Sequence, residues 1–179
     1  MSPRVIAGRY GGRRLQAPSG DVTRPTADRV REALFSILGE RVREARVLDL
    51  FAGCGALGLE ALSRGARAVT FVERAPAALG ALRANVAALG ADAVVERADA
   101  VRWLRGASRG ARQYDLVFLD PPYARAADLG ATLSDLLPAV LAPGALVVAE
   151  CDRRSPLELT IAQTDERRYG DTLIRIHAA

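Results

Sequence analysis

The stretch Val47-Leu48-Asp49-Leu50-Phe51-Ala52-Gly53-Cys54-Gly55-Ala56-Leu57-Gly58-Leu59-Glu60-Ala61-Leu62 constrains this chain more than any other. A short apolar run, Val47 to Leu50, has the composition of a buried strand. It breaks into a turn with glycines at 53, 55 and 58, then passes into helix formers from Ala56 to Ser63. Strand, glycine turn and helix in that order are the layout of a nucleotide-binding βαβ unit. Glycine lets backbone approach a ligand closely, and the start of the helix offers N–H groups without intrahelical partners. The same spacing arises wherever a helix crosses a strand tightly, so the ligand has to be read from the rest of the chain.

The 179 residues, half of them hydrophobic, suit one domain with a proper core. No apolar run nears the roughly 20 residues of a membrane span, and Met1 to Ile6 lacks a signal-peptide core. Cys54 and Cys151 are too few for a disulfide framework and have no metal-ligand spacing. The expectation is a cytoplasmic protein with no bound metal and no membrane contact. All 25 basic residues are arginine. Ten stand in residues 1–46 against five acids, whereas the remainder carries 15 against 16 acids. Positive charge concentrated at the front is the electrostatic footprint of a polyanionic partner.

Along the chain, Arg4 to Leu15 reads as two short strands around Gly11-Gly12, with Arg4, Arg9, Arg13 and Arg14 beside Tyr10. Thr26 is a candidate N-cap for a helix of about three turns with Val30, Ala33, Leu34, Ile37 and Leu38 on one face. Arg24, Arg29 and Arg31 near its start extend the basic surface. From Val47 strands and helices alternate. Strands are expected at 47–50, 68–73, 93–95, 114–119 and 145–149. Helices are expected from Ala56 to about Arg64, from Pro76 to Gly90, at 100–105 and within 126–140. The tail reads as antiparallel strands around 159–164 and 167–177, with Tyr169-Gly170-Asp171 as a break or a bulge. Such alternation means an α/β fold with a mostly parallel, doubly wound, Rossmann-like sheet. No repeat or second domain is visible.

Two ligands compete for the glycine turn. A dinucleotide would place pyrophosphate there, with Glu73 on a ribose hydroxyl; S-adenosylmethionine would use Glu73 in the same way. Asp49 discriminates between them. A carboxylate at the strand end repels phosphate in a poorly screened site, but suits a ligand with an ammonium and a sulfonium. Asp49 can equally cap N–H groups of the turn. Asp99 either accepts from an adenine amine or caps the helix at 100–105. Asp49, Glu73, Asp99 and Asp120 all end strands at the carboxyl edge of the sheet, where such folds bind ligands.

Asp120-Pro121-Pro122-Tyr123 is the most specific motif. Two prolines after a buried strand fix φ and withhold two N–H donors, which leaves the Pro121 carbonyl rigid and free to accept. With Asp120 it forms a pair of acceptors matched to a planar –NH₂ group such as the exocyclic amine of a base. Tyr123 adds a flat face, a stacking contact worth ~1–3 kcal/mol per base in single-strand binding. The nitrogen must then sit roughly 3–3.5 Å from the methyl carbon. Trp103 reads as packing, and His177, near the end of the chain, as non-catalytic.

The segment from Asp49 to Gly55, together with Asp120-Pro121-Pro122-Tyr123, resembles the class I S-adenosylmethionine-dependent N-methyltransferases. The flanking blocks are Val5-Ile6-Ala7-Gly8 with Gly11 to Leu15, Arg24-Pro25-Thr26 with Arg29 to Phe35, Gly55 to Gly65, and Tyr169-Gly170-Asp171-Thr172. With them, nearly the whole chain is similar to the RsmD family of ribosomal RNA guanine-N2 methyltransferases. The resemblance implies a class I sheet with a C-terminal antiparallel hairpin. It divides one methyltransferase domain into a basic RNA-binding extension over 1–45 and an S-adenosylmethionine-binding core over 46–179. It implies methylation of a guanine in 16S rRNA, free or within the small ribosomal subunit or an assembly intermediate, by a monomer. Asp49, Phe51, Gly53, Gly55, Glu73, Arg74, Asp99 and Ala100 would line the cofactor pocket. Asp120, Pro121, Pro122 and Tyr123 would hold the base, and Arg4, Arg9, Arg13, Arg14, Arg24 and Arg29 would contact RNA. Cys54 stands where the family pattern has Ser or Thr, and Arg74 where a polar or acidic residue is commoner. The alternatives are a DNA amino-methyltransferase acting on adenine-N6 or another base, a non-catalytic RNA-binding assembly factor, and a nicotinamide oxidoreductase, which Asp49 opposes.

Overall fold

Each central strand buries both faces, so its side chains alternate between two apolar layers, and the helices that cover them supply those layers. The computed structural model describes residues 3–18, 25–107, 112–122 and 126–179. In chain order the elements are α1 (Pro25–Leu38), β1 (Arg46–Asp49), α2 (Ala56–Ser63), β2 (Ala68–Glu73), α3 (Pro76–Leu89), β3 (Val94–Arg97), α4 (Ala100–Ala107), β4 (Tyr114–Leu119), α5 (Ala126–Leu136), β5 (Leu141–Asp152), β6 (Gln163–Tyr169) and β7 (Thr172–Ala178). They form one seven-stranded sheet in the order β3-β2-β1-β4-β5-β7-β6. The first five strands run parallel, and β7 is antiparallel to both neighbours. This is the class I methyltransferase sheet that the family resemblance implies.

Val47, Phe71 and Phe118 face one layer, made with α1, α2 and α3. Leu48, Val72 and Leu119 face the other, made with α4 and α5. Asp49 and Asp120 share the first face, two residues beyond Val47 and Phe118. Among the described residues no helix is long and apolar enough to cross a membrane, and no group of metal-ligating side chains is assembled.

Several boundaries differ from expectation. The front segment forms a single antiparallel bridge, Arg4 to Arg14, rather than two strands, because several of its N–H groups are taken up by side chains of α2 and α3. Thr26 lies inside α1, which starts at Pro25, so the cap falls outside the described residues. The fifth strand is much longer than 145–149. It starts at Leu141 and absorbs Pro143-Gly144 by a register shift opposite Tyr114 and Leu116. The first tail strand begins at Gln163, and the break falls at Gly170-Asp171.

Candidate active site

The chain leaves β1 for β2 on one side and later returns to place β4 on the other. The carboxyl ends of β1 and β4 thus flank a switch point, where such sheets open a crevice. The glycine turn fills this place. Gly53 and Gly55 have φ of +55° and +87°, a region that side chains disfavour. A Cβ on Gly58 would collide with the Phe71 ring, so this glycine lets α2 lie directly on β2.

Asp49 is 1 % exposed, and its Oδ2 accepts from Gly58 N–H at 3.0 Å. Burial pushes its carboxyl up to about 7. The Gly58 hydrogen bond opposes this, and the nearby Glu73 charge adds to it. Asp49 therefore sits beneath the turn and caps it, off the cavity wall. Glu73 binds the turn from the neighbouring strand. Its Oε2 accepts from Gly53 N–H at 2.8 Å, and its Oε1 accepts from Arg74 and Ala75 N–H at 2.7 Å each. Asp99 caps α4 through Oδ1, which accepts from Val101 and Arg102 N–H, while its Oδ2 meets Arg74 at 3.4 Å.

A cavity of about 490 Å³ opens above these groups. Its wall includes Phe51, Gly53, Glu73, Arg74, Asp99 and Ala100 at one side and Asp120, Pro121 and Pro122 at the other. Nine of the residues singled out in the sequence thus border one space. Gly55 shapes the turn but lies behind it, and Tyr123 lies outside the described residues. The sequence does not single out the apolar wall of Val72, Ala78, Ala98 and Leu129. Leu129 comes from α5, far along the chain, and no local pattern marks it. The Cys54 carbonyl accepts from Asn85 Nδ2 at 2.9 Å, and its half-buried thiol is absent from the cavity wall.

Glu150 is the acid that sequence reasoning missed. Leu119 pairs with Ala149, so Asp120, just past the end of β4, comes level with Glu150, which lies within β5 two residues before its end. Desolvation, Glu150 and Asp49 hold the Asp120 carboxyl well above its ordinary value, in that order of weight. Glu150 is raised by desolvation, and Arg31 opposes the shift. The signal was present: Glu150 follows an apolar run as Asp120 does.

The basic front segment is clasped to the core. Glu60, fully buried on α2, accepts from Ile6 N–H at 2.6 Å, Ala7 N–H at 3.1 Å and Arg64 Nε at 2.6 Å. Ser63 Oγ accepts from Tyr10 N–H at 2.8 Å, and Asn85 on α3 accepts from Gln16 N–H at 2.7 Å. Val5, Tyr10 and Leu15 are buried. This leaves Arg4, Arg9, Arg13 and Arg14 on the outside, joined there by Arg29 of α1. Arg24 lies outside the described residues. Arg31 departs from expectation: it is 6 % exposed and turned inward, bonded to Asp28 at 2.9 Å and to the Arg4 carbonyl.

The chain matches the Conserved hypothetical protein 95 family over residues 3–178. It is 39 % identical to YlbH of Bacillus subtilis (strain 168) over 184 residues, 97 % of either chain. It is 45 % identical to the ribosomal RNA small subunit methyltransferase D of Escherichia coli (strain K12) over 123 residues, a stretch that is 68 % of this chain and 61 % of that one. Its fold matches the solved structure of the E. coli protein yhhF with a TM-score of 0.83 at 34 % identity, covering 99 % of this chain and 98 % of that one. The family's span and the shared fold agree, and the chain belongs to the RsmD/YlbH methyltransferase family.

Proposed function

We propose that this protein transfers a methyl group from S-adenosylmethionine to the exocyclic N2 amine of a guanine in small-subunit (16S) ribosomal RNA. The observation that carries the reading is one cavity walled by both Glu73 with Asp99 and Asp120 with Pro121. A donor and a base amine can meet there. The E. coli relative's name specifies small-subunit rRNA, and the arginine-rich front fits such a polyanion.

The residues present suit the cofactor. The volume falls in the range of ligand pockets, roughly 300–1,000 Å³, and its charged wall is mainly acidic, as a doubly cationic donor requires. Each Glu73 oxygen can accept further hydrogen bonds, so the pair can hold ribose hydroxyls while still tying down the turn. Asp99 and Ala100 border the adenine end, and Gly53, in the turn that Gly55 shapes, brings backbone close to the amino-acid end. S-adenosylmethionine supplies the methyl group on a sulfonium. The chain's own work is to orient the amine and take up its proton. Asp120 and the Pro121 carbonyl accept the two N–H bonds, which fixes the nitrogen and draws its lone pair out of the ring. When the nitrogen gains carbon it must lose a proton, and Asp120, held above the usual carboxylate range, is a better base there than an ordinary aspartate. The enzyme acts in the cytoplasm as a monomer, on free rRNA or an assembling subunit.

Tritiated S-adenosylmethionine, offered with undermethylated small subunits, naked rRNA and duplex DNA, tests the reading through nucleoside analysis. Label in N2-methylguanosine is the expected result. Label confined to DNA, or RNA binding with no label at all, overturns it.

A further inference from the structure

A groove of about 730 Å³ begins where the cofactor cavity ends, and the two share Ala98 and Asp99. Arg97 closes β3, Arg102 stands in the first turn of α4, and Arg112 precedes β4, so three separate elements each contribute an arginine to one wall. All three are exposed. Trp103, next to Arg102, is half-buried. Its ring tilts against Tyr114 with 6.3 Å between centroids, and it also borders the groove.

The charges in this groove are uncompensated. Among the described residues no carboxylate lies within ion-pair distance of Arg97, Arg102 or Arg112, whereas Arg74 nearby is paired with Asp99. Among the described residues Asp99 is the only acid on the groove wall, and both its oxygens are engaged, one by Val101 and Arg102 N–H and the other by Arg74. Three like charges around one concavity repel each other and focus a field that favours a polyanion. An aromatic surface among arginines suits a sugar–phosphate chain with an unstacked base better than a bare phosphate. The groove also lies on the α4 side of the sheet, opposite the clasped front segment, which packs with α1, α2 and α3.

We propose that this groove is a second RNA-binding site, which holds the backbone of a single-stranded stretch flanking the target, with one base against Trp103. The proposal rests on the reading that the substrate is RNA. It makes the two basic surfaces a grip on both sides of the site entrance.

The test compares the wild type with Arg97→Glu/Arg102→Glu and, to keep charge removal separate from reversal, Arg97→Gln/Arg102→Gln. Naked small-subunit rRNA is titrated at several salt concentrations, and S-adenosylmethionine affinity and melting temperature are measured alongside. The expected result is an RNA Kd and KM at least tenfold higher in the glutamate variant and severalfold higher in the glutamine variant. The salt slope should shrink by about 0.7 for each single-strand phosphate that the variant no longer neutralises, with cofactor Kd and kcat within twofold of wild type. Unchanged RNA affinity and slope in both variants would overturn the proposal. So would a parallel loss of cofactor affinity, because the groove would then belong to the cofactor cavity. If the wild type labels no rRNA, the functional reading fails by itself, and the salt-dependent RNA affinity still decides the groove.

Discussion

At Asp120 and Asp49 two carboxylates of one sheet face have been pushed in the same direction for different ends. In the proposed reaction Asp120 must be ionised to take up the amine proton, and its raised pKa moves that requirement toward neutral pH. Activity should rise with pH along a limb whose midpoint lies above the ordinary aspartate range. Asp120→Ala should lower kcat by about 100-fold or more while leaving cofactor Kd within a few-fold. Asp120→Asn keeps an acceptor and should retain part of the activity with that limb flattened. A cofactor Kd that collapses in Asp120→Ala would refute this division of labour. For Asp49 the sign runs toward instability. Its folded carboxyl titrates near 7 rather than 3.8, so the folded state holds the proton more tightly. Stability falls as pH rises between these values, and the full cost applies above about 7. Asp49→Asn, which still accepts from Gly58, should melt with the wild type at about pH 4 and above it at about pH 8. The difference is a few kcal/mol, at ~1.4 kcal/mol per unit. Equal melting at both pH values would remove Asp49 as the cause.

The helix α2 carries the glycine turn at its start and the clasp for the front segment along its length. Glu60→Ala strips acceptors from two backbone N–H groups and leaves Arg31 and Arg64 without their buried partner. Removing one member of such a network costs about 3–5 kcal/mol. Urea unfolding should show that loss, and hydrogen exchange should speed up at Ile6 and Ala7 before anywhere in β1. Uniform speeding across the sheet would argue against a local clasp. How far such elements can be read in advance depends on what bounds them. β4 was legible to the residue, since an apolar run stops at Asp-Pro-Pro. So was α3, with Pro76 at its start and Gly90 (φ +59°) at its end. β5 was not, because Pro143-Gly144 looks like a turn, and only pairing with β4 carries the strand through it. The positions of the strand-end acids were readable. The direction each side chain takes was not: Asp49 turns down to Gly58 and Arg31 turns in toward Glu60, choices made by partners distant in sequence. The groove on α4 left no trace in local pattern, since its three arginines meet only in the folded sheet.

At the scale of the molecule, the arginine-rich front segment is built into the core. Val5, Tyr10 and Leu15, with Val30, Leu34, Phe35 and Leu38 of α1, belong to the same apolar layer as Phe71 and Phe118. These buried side chains, at ~1.5–3 kcal/mol each, together exceed most of the roughly 5–15 kcal/mol by which a domain is stable. A chain beginning at Arg46 should therefore aggregate or lack a near-UV circular dichroism signal. A soluble fragment with native spectra that still binds S-adenosylmethionine would contradict this. The clasp has a further consequence for inheritance. Glu60, Ser63 and Asn85 stand far downstream of the backbone they hold, at separations of 54, 53 and 69 positions, in the two helices that frame the glycine turn. A front segment exchanged between relatives brings its arginines but leaves these anchors behind. Recombination across residue 46 thus breaks matched pairs, and drift in the arginine-rich front loop is constrained by side chains packed around the glycine turn.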